Sequence, residues 1–138
     1  MSKTAVIYWS GTGNTEAMAK AVLKGAGLGA QLFAVSDFDA SKIDAFDAFA
    51  LGCPAMGSEA LEDGEFEPLF NEIKGQLAGK KVGLFGSYGW GDGEWMRTWE
   101  DDCADASINL AVESVICNDA PDDEALEACR ALGETLAQ

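Results

Sequence analysis

"YWSGTGNTE", residues 8–16, decides how the rest of the chain is read. The run that leads into it, Ala5-Val6-Ile7-Tyr8-Trp9, is apolar and stops abruptly. Ser10, Gly11, Thr12, Gly13, Asn14 and Thr15 then offer hydroxyls and bare backbone amides, with no positive charge among them. A helical pattern follows over residues 15–26, where Met18, Val22 and Ala26 recur four apart with Leu23 beside them. A loop that joins a strand end to a helix start presents free N–H groups and the positive end of the helix dipole. Such a loop is an anion site, most often for phosphate. The simpler alternative is a Gly/Ser turn that only caps the helix.

Outward from this loop the pattern repeats. Residues 4–8, 30–35, 48–53 and 81–86 read as short apolar strands, and 108–117 as a fifth with an interruption. Residues 15–26, 67–77, 93–104 and 121–136 read as helices, with Pro68 acceptable in the first turn of the second. Gly25, Gly27 and Gly29 are expected to end the first helix. Residues 36–44 read as a loop with a short helix at most. This alternation predicts one α/β domain over residues 1–138, with a parallel sheet covered on both faces. In such sheets, ligands bind beyond the carboxyl ends of the strands, where the strand order reverses. The loops at 10–15, 54–65 and 87–93 are therefore expected to carry the chemistry.

The first loop does not fit the common nucleotide motifs. A triphosphate-binding loop needs a lysine after its last glycine, and none follows Gly13. A dinucleotide fingerprint needs a third glycine where Glu16 stands, so Asp37 only imitates that motif's ribose-binding acid. What remains is a nest with the hydroxyls of Ser10, Thr12 and Thr15. It suits a terminal phosphomonoester, held by charge-assisted hydrogen bonds of about 1.5–3 kcal/mol each. The second loop begins Pro54, Ala55, Met56, Gly57, Ser58, Glu59, and the third reads Ser87, Tyr88, Gly89, Trp90, Gly91, Asp92, Gly93. Glycines around Trp90 would let backbone amides approach a flat ligand. Trp90 would offer one ring face and Met56 could cover the other. The inferred ligand is a planar aromatic ring with a phosphate tail. The competing reading makes Trp90 and Met56 ordinary packing residues.

Composition narrows the chemistry. The chain has 138 residues, 48% of them hydrophobic, enough for a real core. Its formal charge of −15, from 24 acids against 9 bases, argues against nucleic acid and anionic membrane surfaces. It suits basic protein partners, and equally a charge that only keeps the protein in solution. No apolar run reaches the length of a membrane span, and the N-terminus leads straight into a strand, which reads as cytoplasmic. There is no histidine, which excludes His-ligated haem, His-based zinc and a Ser-His-Asp triad. The four cysteines, Cys53, Cys103, Cys117 and Cys129, show no C-x-x-C spacing and read as reduced, partly buried small hydrophobes. Redox chemistry here would have to live on an organic cofactor.

"YWSGTGNTEAMA" (8–19), "LGCPAMGSE" (51–59) and "GKKVGLFGSYGWGDGEWM" (79–96) together resemble the short-chain bacterial flavodoxins. The resemblance spans the chain in element order, without the last-strand insertion of long-chain members. It implies a flavodoxin-like, doubly wound five-stranded parallel sheet of order 2-1-3-4-5. It also implies non-covalent FMN at the switch point, a placement that belongs to the family rather than to the spacing. By resemblance, Ser10, Thr12, Gly13, Asn14 and Thr15 match the phosphate loop, while Met56 and Trp90 match the inner and outer ring faces. Gly57 matches the glycine whose peptide reorients on reduction, and Glu59 the carboxylate at the ring N3–H. Gly89 and Gly91 match backbone donors at the pyrimidine edge. Pro54 departs from relatives that place a serine near the phosphate.

The implied function is low-potential one-electron transfer between redox enzymes, cycling mainly between semiquinone and hydroquinone, with no substrate turnover and as a monomer. Glu59, Glu62, Asp63, Glu65 and Asp92 are expected to disfavour an anionic reduced ring. They should also attract basic surfaces of ferredoxin-using oxidoreductases. One rival is a flavodoxin-fold FMN enzyme or activator, such as a quinone reductase or a ribonucleotide-reductase activating flavoprotein. A signalling receiver domain is the other, but it needs acids where Tyr8-Trp9-Ser10 and Gly52-Cys53-Pro54 stand. Trp95 and Trp99, four apart, read as core. Trp9 has two open readings, beside the ribityl chain or beside the ring.

Overall fold

The computed structural model describes residues 3–56, 60–89 and 91–138. Five strands, β1 (Thr4–Tyr8), β2 (Ala30–Ala34), β3 (Ala48–Gly52), β4 (Lys81–Tyr88) and β5 (Val115–Asn118), pair in parallel in the order β2-β1-β3-β4-β5. The helices are α1 (Asn14–Ala26), α2 (Phe66–Ile73), α3 (Glu94–Asp105) and α4 (Asp123–Ala137). The expected α/β class and strand order are both found. The order reverses at β1, whose last residue, Tyr8, lies between Ala34 of β2 and Gly52 of β3.

Strand pleating sorts the core into two layers. Ile7, Phe49, Leu51, Val82 and Leu84 face Phe66 and Phe70 of α2 and Trp95 and Trp99 of α3. Both tryptophans are core residues, as expected. On the other face, Val6, Ala48, Ala50 and Phe85 meet Met18 and Val22 of α1 and Cys129 and Leu132 of α4. Most of these strand residues are small, so α1 and α4 lie close to the sheet and to each other.

The helix contact overturns one expectation. Gly25 does not end α1; it lies inside the last turn, where a Cβ would stand 2.0 Å from the Arg130 carbonyl oxygen. Across the same contact, a Cβ on Gly133 would stand 2.1 Å from the Val22 carbonyl oxygen. The helix stops instead at Gly27, whose φ of 79° favours glycine. One further difference concerns a strand end. β4 runs on to Tyr88, so Ser87 and Tyr88 are strand residues rather than loop residues. The expected interruption of the last strand is present. Leu110 bridges Val82, and the chain returns to pair with β4 only at Val115.

Candidate functional site

The end of β1 is fixed by sheet pairing, because the Trp9 N–H donates to the Gly52 carbonyl at 3.0 Å. The chain then turns through Gly13, which has φ 97° and serves as the N-cap of α1. Gly13 brings no side chain to cap the helix. The Ser10 hydroxyl accepts from the Gly13 N–H at 3.0 Å, shaping the loop itself. The hydroxyls are thus not spent on capping the first turn of α1. Thr15 is buried, with its hydroxyl 3.5 Å from that of Ser87 at the end of β4, which is also buried.

The second loop is anchored just as tightly. The Ala55 N–H donates to the Ser87 carbonyl at 3.0 Å, and the Trp95 indole N–H donates to the Cys53 carbonyl at 3.1 Å. Gly86 is required here, since a Cβ would stand 2.2 Å from the Cys53 carbonyl oxygen. Further along, the Glu62 carboxylate is buried and accepts from the N–H groups of Gly64 (2.7 Å), Glu65 (2.8 Å) and Phe66 (2.8 Å). Burial opposes its ionised form, but these three bonds outweigh it and hold the carboxyl below its usual value. Glu62 therefore secures the start of α2.

These elements enclose a cleft of about 310 Å³ at the carboxyl ends of β1, β3 and β4. Its walls are Trp9, Ser10, Gly11, Thr12, Asn14 and Thr15 from the first loop and Pro54, Ala55 and Met56 from the second. Ser87, Tyr88 and Gly89 come from β4 and its exit, and Asp119 from beyond β5. All three expected loop regions thus converge. Gly13 shapes the first loop without lining the cleft, and Gly91 and Asp92 also lie outside the lining. The Asp92 carboxylate pairs instead with Arg97 at 3.0 Å. Gly57, Ser58, Glu59 and Trp90 lie outside the described residues.

Asp119 escapes a motif search. It has φ 57°, and its N–H donates to the Tyr88 carbonyl at 2.8 Å. The only signal is the Asn118-Asp119 pair just after the last strand, a turn former tolerant of positive φ. Trp9 lines the cleft, a place that agrees with both of its readings.

The cleft is polar at one end and apolar at the other. Its described lining holds no lysine or arginine, and Asp119 is its one carboxylate. Hydroxyls and the unspent first turn of α1 suit a single phosphate monoester. A triphosphate, with more charge and no cation to meet it, does not fit. Trp9, Pro54, Ala55, Met56 and Tyr88 supply walls for a flat ring, and the volume lies in the usual range for small-molecule sites. FMN has this combination of ring and tail, so the residues present fit it.

No activated thiol is present near the cleft. Burial pushes the Cys53, Cys103 and Cys129 thiols up to about 12. All four cysteines are free, as expected. Among the described residues there is no cluster of three or more metal-binding side chains.

A family model described as flavodoxin matches residues 6–133. The chain is 46% identical over 136 residues to a flavodoxin of Megasphaera elsdenii, covering 96% of this chain and 97% of that protein. It is 44% identical over 135 residues to a flavodoxin of Clostridium beijerinckii, again covering 96% and 97%. Among solved structures, that of two-electron reduced Megasphaera elsdenii flavodoxin matches with a TM-score of 0.87 and 45% identity, covering 97% and 98% of the two chains.

Proposed function

This chain belongs to the flavodoxin family, and we infer that it is an FMN-binding electron carrier that works as a single domain. Bound FMN supplies chemistry in which electrons are accepted and passed on one at a time. The observation that carries the reading is the two-ended cleft, with a cation-free hydroxyl and amide cradle facing apolar walls. Ser10, Gly11, Thr12, Gly13, Asn14 and Thr15 hold the phosphate, with Thr15 steadied by Ser87. Pro54, Ala55, Met56, Tyr88 and Gly89 bound the ring. Gly57, Ser58, Glu59, Trp90, Gly91 and Asp92 join them by family resemblance. Pro54 has no N–H, so the β4 end and the first loop supply the donors that a serine there would add.

The finer reading is a low-potential carrier that works across the second of its two electron steps, without substrate turnover of its own. Asp63, Glu65, Asp92 and Asp119 are exposed around the cleft end of the sheet. Lys24, Lys74, Lys80 and Lys81 lie at the other end, where α1 and α2 finish and β4 begins, together with Asp44, Asp47, Glu72 and Asp105. The exposed acids around the cleft, with Arg97 beside Asp92, support docking, cleft first, against basic surfaces of donor and acceptor oxidoreductases of the ferredoxin-using type. Among the described residues no helix is long and apolar enough to cross a membrane. Action as a cytoplasmic monomer completes the proposal.

Stepwise reduction followed by absorbance tests it. The expected result is a yellow protein whose long-wavelength band grows to a maximum near one electron equivalent and then decays. Protein that stays colourless after incubation with FMN refutes cofactor binding. Oxidation of NADPH by the protein alone would replace the carrier by an enzyme. Electron-transfer rates with a basic partner should fall as salt is added.

A further inference from the structure

We propose that Trp9, held by Glu65, is a positioning residue that latches the phosphate loop to the loop before α2 and slows the release of FMN. The proposal rests on the FMN reading above. The Trp9 indole N–H donates to the Glu65 carboxylate at 3.2 Å, across 56 residues of sequence. It joins two loops that leave neighbouring strands at the point where the strand order reverses.

Both ends of this bond are held in place. The Trp9 backbone is fixed by its N–H bond to Gly52, so only side-chain rotation can move the indole. The ring rests against Gly11, where a Cβ would stand 3.1 Å from its Cη2 atom. At the other end, the Glu65 N–H is bound by the buried Glu62 carboxylate at 2.8 Å. Gly64 leaves room for that carboxylate, since a Cβ there would stand 2.8 Å from its Oε2 atom. Glu65 is thus presented from a rigid helix start and not from a free loop.

The indole also divides space. Trp9 and Ser10 line both the cofactor cleft and a second cleft of about 210 Å³, which Tyr8, Glu16, Val35 and Glu65 share. Rotation of Trp9 away from Glu65 would merge the two and open a side exit beside the phosphate loop. The bond to Glu65 opposes that rotation. Because it is exposed, water competes for it, and its net effect is that of one ordinary hydrogen bond.

The test uses Trp9→Phe, Glu65→Ala, Glu65→Gln and the Trp9→Phe/Glu65→Ala double variant. The rate of FMN release is read from the recovery of free-flavin fluorescence at constant salt. Trp9→Phe and Glu65→Ala each speed release about three- to tenfold, the range expected for one net hydrogen bond. The double variant is no faster than the faster single one, because both remove the same bond. Glu65→Gln retains an acceptor and returns release to within about twofold of the parent. In the apoprotein, the Trp9 indole ¹⁵N–¹H resonance moves in Glu65→Ala and stays near its parent position in Glu65→Gln. Unchanged release rates, additive effects, or Glu65→Gln behaving as Glu65→Ala overturn the latch. Failure of the parent apoprotein to take up FMN overturns the cofactor reading itself.

Discussion

Replacing Glu62 by alanine separates the role of this acid in holding the fold from a role at the ring. Its carboxylate is buried and takes three backbone N–H groups at 2.7–2.8 Å. Charge-assisted bonds are worth about 1.5–3 kcal/mol each when counted alone. They do not add here, because one acceptor group serves all three and its burial opposes them. The freed N–H groups of a helix start can also turn to water. Losing an N-terminal cap costs about 0.5–2 kcal/mol. Three linked bonds to a buried charge should exceed that, so about 2–4 kcal/mol is expected. At roughly 3–4 °C per kcal/mol for a chain of this size, the apoprotein should melt about 6–16 °C lower. The pH dependence has a definite sign. The Glu62 carboxyl lies below its ordinary value of 4.5 in the folded chain. Its contribution is therefore complete above pH 4.5 and is lost as pH falls through the lowered folded value. The melting gap between parent and variant, followed by circular dichroism, should be constant from about pH 5.5 to 8 and narrow in acid. Equal melting at pH 7, or a gap that widens in acid, would refute the argument.

Gly133→Ala should destabilise the apoprotein by about 2 kcal/mol, read as a lower urea midpoint. Overpacking against the Val22 carbonyl, at the upper end of about 1–3 kcal/mol, outweighs the roughly 1 kcal/mol helix-propensity gain. Thiol labelling of the native protein at pH 8 should modify Cys117 alone. Cys53, Cys103 and Cys129 are buried with thiols near 12, and should react only after unfolding. Thr15→Val should weaken FMN binding by about tenfold or more, measured by flavin fluorescence quenching, through loss of one charge-assisted donor. Its melting temperature should change little, because the bond it gives up to Ser87 is long, at 3.5 Å.

Features repeated along the chain are the ones legible in its sequence. Strand–helix alternation, continuous apolar strands and the loop at 10–15 suffice for the sheet and for where its ligand lies, because each follows from local periodicity and one topological rule. Even the interruption before Val115 is visible, since Glu113 and Ser114 break the apolar run. What eludes sequence reading depends on contacts between distant segments. Gly25 looks like a helix stop beside Gly27 and Gly29, and only the Arg130 carbonyl across the helix contact explains it. Glu62 looks like one more surface acid in an acidic loop until three amides are found around it. Asp119 enters the cleft only because β5 pairs with β4, which brings the turn after Asn118 beside Tyr88.

These placements change the electrostatic argument for a low potential. An acid about 10 Å from the ring, at an effective dielectric near 20, opposes an added negative charge by about 1–2 kcal/mol before screening. Glu62 keeps its negative charge while the α2 amides bond it, and Asp92 shares Arg97 with Glu94, which lies 2.6 Å from the guanidinium. Arg97 offsets one of those two negative charges at the distance of the ring. Among the described acids, the repulsion then rests on Glu62, Asp63, Glu65, the one charge left at Asp92 and Glu94, and above all Asp119, which lines the cleft. The phosphate cradle adds to it. Because no lysine or arginine is among the described lining residues, the charge of a phosphate dianion bound there would stay uncompensated and act on the ring. On the proposed placement, a neutral, hydroxyl-rich loop would do two things at once: grip the tail with directional bonds, and leave the tail's charge in place to oppose the last electron.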